Sequence, residues 1–365
     1  MGLLLFTAGC KQGLYFFEKF QEIPTKGAAD VKFFSIGDDL FLVFANYYGD
    51  KLGKKAKSVV YKMENGRFLL NQTLSTHGPY GGIEHLKIDD VHYMAIANYF
   101  DGGYKQNSVI YKRTAGKFEE FQSISTNGAS GLKFFFIEGE HFLAVSEYHD
   151  DSTYSIDSSV YKWKQGKFVK YQNIPTDGAM ACDSTVIANE TFLVYANYYH
   201  AEKKYSTESS VYKWSGGHFL KFQSIQTQGA YTAKFFHING HVFLAFANHY
   251  TGSKYDTNSP IYKWDGVKFT LFQEIPTQGA REMHSFEMNG ENFFAIANYH
   301  GDSAKYSVRS AVYKASGAQF TLYQDLQTYG ARGVHAIVHR GQRYLAFANF
   351  RKNNYNIDSF VYKFF

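Results

Sequence analysis

Hydrophobic and polar positions alternate in short runs along this chain, and no run has the spacing of an amphipathic helix longer than a few residues. The unit that begins at Gly128 sets the pattern. Leu132 to Ile137 predicts a first strand, Glu138-Gly139-Glu140 a tight turn, and His141 to Tyr148 a second strand. A polar loop from His149 to Ser158 follows, then Ser159 to Trp163 as a third strand, Lys164-Gln165-Gly166 as a turn and Phe168 to Ile174 as a fourth. The pattern recurs from end to end. Phe20 to Ala28 reads FQEIPTKGA, and close copies start at Asn71, Phe121, Tyr171, Phe222, Phe272 and Tyr323, about 50 residues apart.

Seven units of four short antiparallel strands fit either a β-propeller or a linear solenoid. The chain ends decide between them. The last unit stops after its third strand, Ser359 to Lys363, while the chain opens with an orphan fourth strand, Tyr15 to Ile23. If that N-terminal strand completes the last blade, the ring closes and no long sheet edge is left exposed. The expected fold is therefore all-β, a seven-bladed β-propeller with four antiparallel strands per blade. It forms one domain over residues 1–365, with handover turns at Gly27, Gly78, Gly128, Gly178, Gly229, Gly279 and Gly330.

Composition agrees with a folded core: 35 Phe and 30 Tyr are many, 5 Pro are few, and charged residues make up 19%. The net charge of +5 is spread through the repeats, which argues against a nucleic-acid partner. Cys10 and Cys182 are the only cysteines and occupy non-equivalent places, so they build neither a disulfide framework nor a zinc site. No apolar run approaches a membrane span, and Leu3 to Phe6 is too short for a secretory signal. Thr7-Ala8-Gly9-Cys10 loosely matches a lipoprotein cleavage box but lacks its basic flank, so a mature or trimmed form is expected. Two sequons, Asn71-Gln72-Thr73 and Asn189-Glu190-Thr191, are compatible with secretion.

Positions shared by all units are read first as scaffold. Each handover Gly permits positive φ, and the Thr two residues before it belongs to the same turn. The Ala-Asn pairs at Asn46, Asn98, Asn197, Asn248, Asn298 and Asn349 end the second strand, where an amide satisfies backbone groups of a neighbouring loop. The third-strand tyrosines, Tyr61 through Tyr362, are expected between blades.

FQxIxTxGA, the following FLxxANY strand and the S-x-VYKW strand with its GKF turn together resemble the epilepsy-associated repeat, also called the EPTP or epitempin repeat, as in leucine-rich glioma-inactivated proteins. The resemblance covers nearly the whole chain. It implies a seven-bladed propeller used outside the cell or at its surface as a protein-binding, receptor–ligand platform and not as an enzyme. Blade three departs from the pattern, with Ser146-Glu147-Tyr148 in place of Ala-Asn and an aromatic or His.

Function on a propeller lives in positions that break the repeat. Five residues after each handover Gly stand Lys32, Glu84, Lys133, Asp183, Lys234, His284 and His335, allowing one inserted residue in blade two. Every member is ionisable, and the preceding column is apolar, so period-two alternation turns the charged set toward the central channel. Two readings follow. In one, acids between lysines neutralise one another in a wet channel. In the other, the ring is a ligand site helped by Asp30 and Glu282, with Asp30, Asp183 and Glu282 as candidate oxygen ligands for Ca²⁺ or Mg²⁺, a cation that the family's channel also suggests. Glu84, His85, Asp183, His284 and His335 are the candidate residues for metal or acid–base chemistry in an axial pocket. No other cofactor is expected.

The loop between second and third strands is polar and carries a Tyr in all units but the first. Exposed Tyr beside Asn, Asp and Ser suits both protein hot spots and sugar stacking. The leading expectation is an extracellular scaffold that binds a protein receptor through this face. A multivalent lectin for cell-surface glycans and an axial-pocket enzyme are the alternatives.

Overall fold

The computed structural model describes residues 16–316 and 319–365 of the chain. Cys10, the Leu3–Cys10 stretch and Tyr15 therefore lie outside the described residues. Those described form seven four-stranded antiparallel sheets. Blade one comprises Ala28–Ile36, Asp39–Asn46, Ser58–Glu64 and Arg67–Leu74, from the axis outward, and blades two to six repeat that order. Blade seven takes Ala331–His339, Gln342–Asn349 and Asp358–Phe364 from the C-terminal end and Phe17–Pro24 as its outer strand. Phe17 pairs with Phe364 and Pro24 with Asp358, so the N-terminal strand closes the ring as the chain ends predict. Among the described residues, no helix is long and apolar enough to cross a membrane.

The strands run longer than the polarity pattern suggests. In blade three the third strand starts at Ser155 and the fourth extends to Asp177, with Ser155 opposite Asp177 and Ser158 opposite Ile174. Polar side chains at the rim do not stop the ladder, because the backbone groups still need partners. Four of the ten predicted loop residues, Ser155 to Ser158, are thus strand, and so is the motif copy from Tyr171 to Asp177.

Alternating apolar residues on both faces of each sheet pack against the neighbouring sheets. One buried cluster lies in each gap, such as Leu86, Ala95 and Ile124 of blade two with Leu132, Leu143 and Phe168 of blade three. Ring closure supplies the cluster between blades seven and one, with Tyr344 and Val361 against Phe33 and Leu42. The repeated residues staple this packing. In the outer strand, a register shift leaves the residue before each motif Gln unpaired, an aromatic in every blade but the first, and re-aims the Gln. Its amide then exchanges two hydrogen bonds with one backbone residue of the next blade. Gln21 Nε2 donates to Phe68 O at 2.9 Å and Phe68 N–H donates to Gln21 Oε1 at 2.9 Å. Gln324 and Phe17 repeat the exchange across the closure.

The handover turn is held by a buried hydroxyl network. Ser58 Oγ lies 2.9 Å from Thr76 Oγ1 and accepts the Asn46 N–H, while Asn46 Nδ2 donates to Lys57 O and its Oδ1 accepts the Lys26 N–H. In blade three Glu147 does the work of the missing Asn: its carboxylate accepts from Asn127 N–H and Nδ2 and from Ser159 Oγ. Each handover Gly is at positive φ, from +50° at Gly27 to +59° at Gly128. Except at Gly78, its N–H donates to the carbonyl of the loop Tyr next to it, as Gly128 to Tyr104 and Gly178 to Tyr154.

Candidate functional site: the axial channel and its mouth

The innermost strands meet around the axis, and each begins with a β-bulge. In blade three Ala129 pairs with Glu147 and Gly131 with Ser146, which leaves Ser130 out of register. Its counterparts are Ala29, Tyr80, Met180, Tyr231, Arg281 and Arg332. The next level holds Asp30, Thr232 and Glu282 among small residues. A Cβ on Gly131 would come within 2.6 Å of Ala181 Cα, and one on Gly333 within 2.9 Å of Asp30 Cα, so only small residues let the strands approach here. Below them lies the ionisable ring. The structure brings Asp30, Lys32, Glu84, Lys234, Glu282, His284 and His335 around one cavity of about 60 Å³.

Most of the ring is internally paired. Lys32 Nζ lies 2.7 Å from Glu84 Oε1, Lys133 Nζ 2.7 Å from Asp183 Oδ1, and Lys234 Nζ 3.6 Å from Glu282 Oε1. Asp183 also accepts the Phe235 N–H at 2.8 Å. Burial alone would raise the Asp183 and Glu84 carboxyls, but Lys133 acting on the first and Lys32 on the second hold both below the usual range. Asp30 differs. It accepts N–H bonds from Val31 and Ile83, yet burial and then the charge of Glu282 push it up to about 7. Burial raises Glu282 as well.

His284 and His335 lie with ring centroids 4.2 Å apart and planes tilted by 38°. Burial, followed by Lys234, drops His284 to about 3, and burial together with His284 holds His335 well below its ordinary value, so both imidazoles are neutral. His335 Nδ1 accepts the Phe33 N–H at 3.4 Å. His85 is not brought to this ring. It follows Glu84 on the opposite face of the strand, stacked on Phe34 at 4.2 Å and 3.1 Å from His92 Nδ1, between blades one and two. Cys182 is buried, and burial pushes its thiol up to about 12, far from thiolate chemistry.

Of the candidate cation ligands, Asp30 and Glu282 face the same cavity. Asp183 is committed to Lys133, and among the described residues no group of three His, Cys, Asp or Glu is placed to hold one metal ion. The candidate catalytic residues do not assemble into a nucleophile–base pair either, since Glu84 and Asp183 engage lysines and His85 faces elsewhere.

The mouth of the channel, on the face that carries the long loops, was only partly legible. The residue after each Asn, or after Glu147, is Tyr47, Tyr99, Tyr148, Tyr198, His249, Tyr299 or Phe350. These rings form a collar: Tyr99–Tyr148 at 5.5 Å, Tyr148–Tyr198 at 6.3 Å, Tyr198–His249 at 6.0 Å, His249–Tyr299 at 5.5 Å, Tyr299–Phe350 at 6.0 Å and Phe350–Tyr47 at 6.1 Å. Tyr80 bridges the remaining gap, 4.9 Å from Tyr47 and 4.4 Å from Tyr99. Inside the collar sit the bulge residues Tyr231, Arg281 and Arg332. The recurring aromatic after Asn was the available signal for the collar.

The loop tyrosines form a second, outer circle. They are half-buried, in contrast to the exposed rings that polarity suggests. Tyr154 packs on His149 at 4.3 Å and on Tyr199 at 4.6 Å, and Tyr205 on Tyr199 and Tyr250 at 5.0 and 4.9 Å. The first loop has no Tyr, and there Lys54 Nζ sits 3.4 Å from the Phe100 ring centroid instead. Adjacent loops are also tied by carboxylates: Asp151 accepts the Tyr104 N–H at 2.7 Å, and Asp302 accepts that of Tyr255 at 2.9 Å.

The fold and this site define a closed seven-bladed propeller with a self-neutralised channel below an aromatic mouth. The EPTP domain model matches residues 17–62, 67–114, 117–164, 167–215, 218–265, 268–314 and 319–364, one segment for each repeat, and the chain belongs to that family. It is similar to the thrombospondin-type laminin G domain and EAR repeat-containing proteins of Homo sapiens (34% identical over 88 residues, 24% of this chain and 13% of that protein) and Mus musculus (31% over 158 residues, 42% and 16%). The matched segments thus span less than a fifth of those relatives. Among solved structures it is similar to the β-propeller domain of Myceliophteria thermophila Cps50 (Swd1), with a TM-score of 0.60 over 95% of this chain and 99% of that one. The N-terminal domain of Nup159 gives a TM-score of 0.51 over 96% of both chains. At 11% identity these two likenesses show the fold alone.

Proposed function

We propose that this propeller is an extracellular recognition scaffold whose loop-bearing face binds a protein partner. The carrying observation is the preorganisation of that face. Two circles of packed aromatic rings, handover glycines bonded to loop carbonyls and carboxylates latching loop to loop fix the surface before any partner arrives. A fixed surface loses little conformational entropy on binding, and Tyr-rich surfaces supply contact area with few rotatable bonds. Membership of the EPTP family supports a protein-interaction role, and the laminin G domains of the similar proteins support an extracellular setting. The channel below, with the three lysines of its ring paired to Glu84, Asp183 and Glu282, supports binding over catalysis.

The test is a screen of the labelled propeller against cell-surface ectodomains. Charge reversals at exposed residues of the loop face, Lys203→Glu and Lys254→Glu, should weaken capture of a hit by about tenfold or more, or 1.4 kcal/mol per tenfold. Glu64→Lys and Glu287→Lys on the opposite face should leave it unchanged. Loss confined to the opposite-face variants would overturn the assignment. Binding that disappears when the partner is deglycosylated would replace it with a lectin.

A further inference from the structure

Arg281 and Arg332 stand at equivalent bulge positions in neighbouring blades, and both are nearly fully buried, at 5% and 6% exposure. Aromatic faces surround them. Arg281 Cζ lies 4.0 Å from the Tyr231 ring centroid and 4.3 Å from that of Tyr299, and Arg332 Cζ lies 3.2 Å from Phe350 and 4.3 Å from Tyr80. Their hydrogen bonds are few and neutral. Arg281 donates to Tyr80 Oη at 3.3 Å and to His249 Nε2 at 3.2 Å, and Arg332 donates to Tyr299 Oη at 3.4 Å. His249 can accept because its Nδ1–H is directed at Gly279 O, 3.0 Å away. Nε of Arg281 and both Nε and Nη1 of Arg332 make no hydrogen bond within the described protein.

Two like charges are therefore buried side by side, with no carboxylate in ion-pair contact among the described residues. Apart from burial, the groups acting most strongly on them are phenols and the guanidinium groups themselves. Ring faces attract a guanidinium but accept none of its in-plane N–H bonds, and an unpaired buried charge is costly. Guanidinium edges are the shape that matches an oxyanion with two oxygens. Room exists beside Arg332, which with Tyr80 and Tyr231 lines one end of the axial cavity of about 60 Å³, enough for one small ion, while Lys32 and Lys234 offset the Asp30, Glu84 and Glu282 carboxyls that also line it.

We propose that Arg281 and Arg332 form a receptor for one small oxyanion, a carboxylate or a phosphate-class group, seated between them at the mouth of the channel beside the Tyr80 hydroxyl. The anion offsets the charge of the pair, by one unit as a carboxylate and by up to two as a phosphate-class group, and locks blades six and seven to Tyr80 of blade two across the axis. This site does not rest on the binding of a protein partner. The internal rival is Tyr80 itself as phenolate: burial would raise its phenol, but Arg281 and Arg332 pull it down to about 7.

The experiment is thermal unfolding at fixed ionic strength as chloride is replaced by acetate or by inorganic phosphate. The wild-type midpoint should rise by about 2–4 °C in at least one oxyanion. Arg281→Met and Arg332→Met should each abolish the rise, and both should fold because an apolar chain of similar length replaces an unpaired charge. Crystals soaked in selenate should show an anomalous peak between the two guanidinium groups, and that readout decides alone if either variant fails to fold. Equal midpoints in all three salts overturn the proposal, as does a rise that persists in both variants, which would mark an adventitious ion only. A phenolate absorption band at neutral pH that Tyr80→Phe removes would also overturn it, by making Tyr80 the counter-charge.

Discussion

Lys133 and Asp183, deep in the channel, meet at 2.7 Å, whereas Arg281 and Arg332 at its mouth meet ring faces, hydroxyls and one neutral imidazole. Asp183 is as inaccessible to water as the two arginines while Lys133 keeps partial access, and the levels differ in whether a charge has an opposite partner. That difference teaches where to look for a ligand: the paired level is already complete, while the unpaired level needs something the chain does not provide.

The comparison can be broken most strongly at the paired level. Asp183→Ala leaves the half-buried Lys133 without its carboxylate and orphans the Phe235 N–H. It should cost about 3–5 kcal/mol in denaturant unfolding, whereas Arg332→Met should change stability by less than about 1 kcal/mol or raise it. If both substitutions cost the same, the two levels are not different in kind. A smaller loss is expected between the levels. Gly131→Ala pushes a methyl to within 2.6 Å of Ala181 Cα and should cost about 1–3 kcal/mol, with the loss unaltered by acetate.

Acid–base titration sharpens the contrast further. The Asp30 carboxyl is raised from 3.8 to about 7 in the fold, so between those values the folded state holds a proton that the unfolded chain has released. Stability should therefore fall as pH rises through that window, and Asp30→Asn should flatten the fall in a series of melting curves. Asp183 and Glu84, held below their usual range, act the other way: they lose stability only as pH drops through their lowered values. The smallest effect is expected at the adjacent histidines. His284→Ala with His335→Ala should leave partner capture by the loop face unchanged, and a loss there would join the channel to the outer surface functionally.

Much of this was legible before folding. Counting five residues from each handover Gly found Lys32, Glu84, Lys133, Asp183, Lys234, His284 and His335, and alternation along an extended strand aimed them at the axis. The same counting failed for Arg281 and Arg332, because the bulge at the strand start breaks the two-residue period and turns inward a residue that alternation assigns to the core. For His85 alternation holds against its nomination to the axial pocket, since it shares a strand with Glu84 but not a face. The loop tyrosines looked exposed because their neighbours in sequence are polar, yet their neighbours in space are aromatic rings of adjacent blades.

The sequence by itself determined the blade, the number of blades and the closure of the ring, since strand alternation, turn glycines and repeat spacing are properties of the local backbone. It also determined the stapling Gln and the Ser–Thr–Asn network, which recur because every blade poses the same local problem. Only the tertiary structure decided which charges pair and which stay alone. Pairing depends on distances across the axis between residues about 50 or more apart in the chain, and a single bulged residue is enough to move a side chain from one neighbour to another.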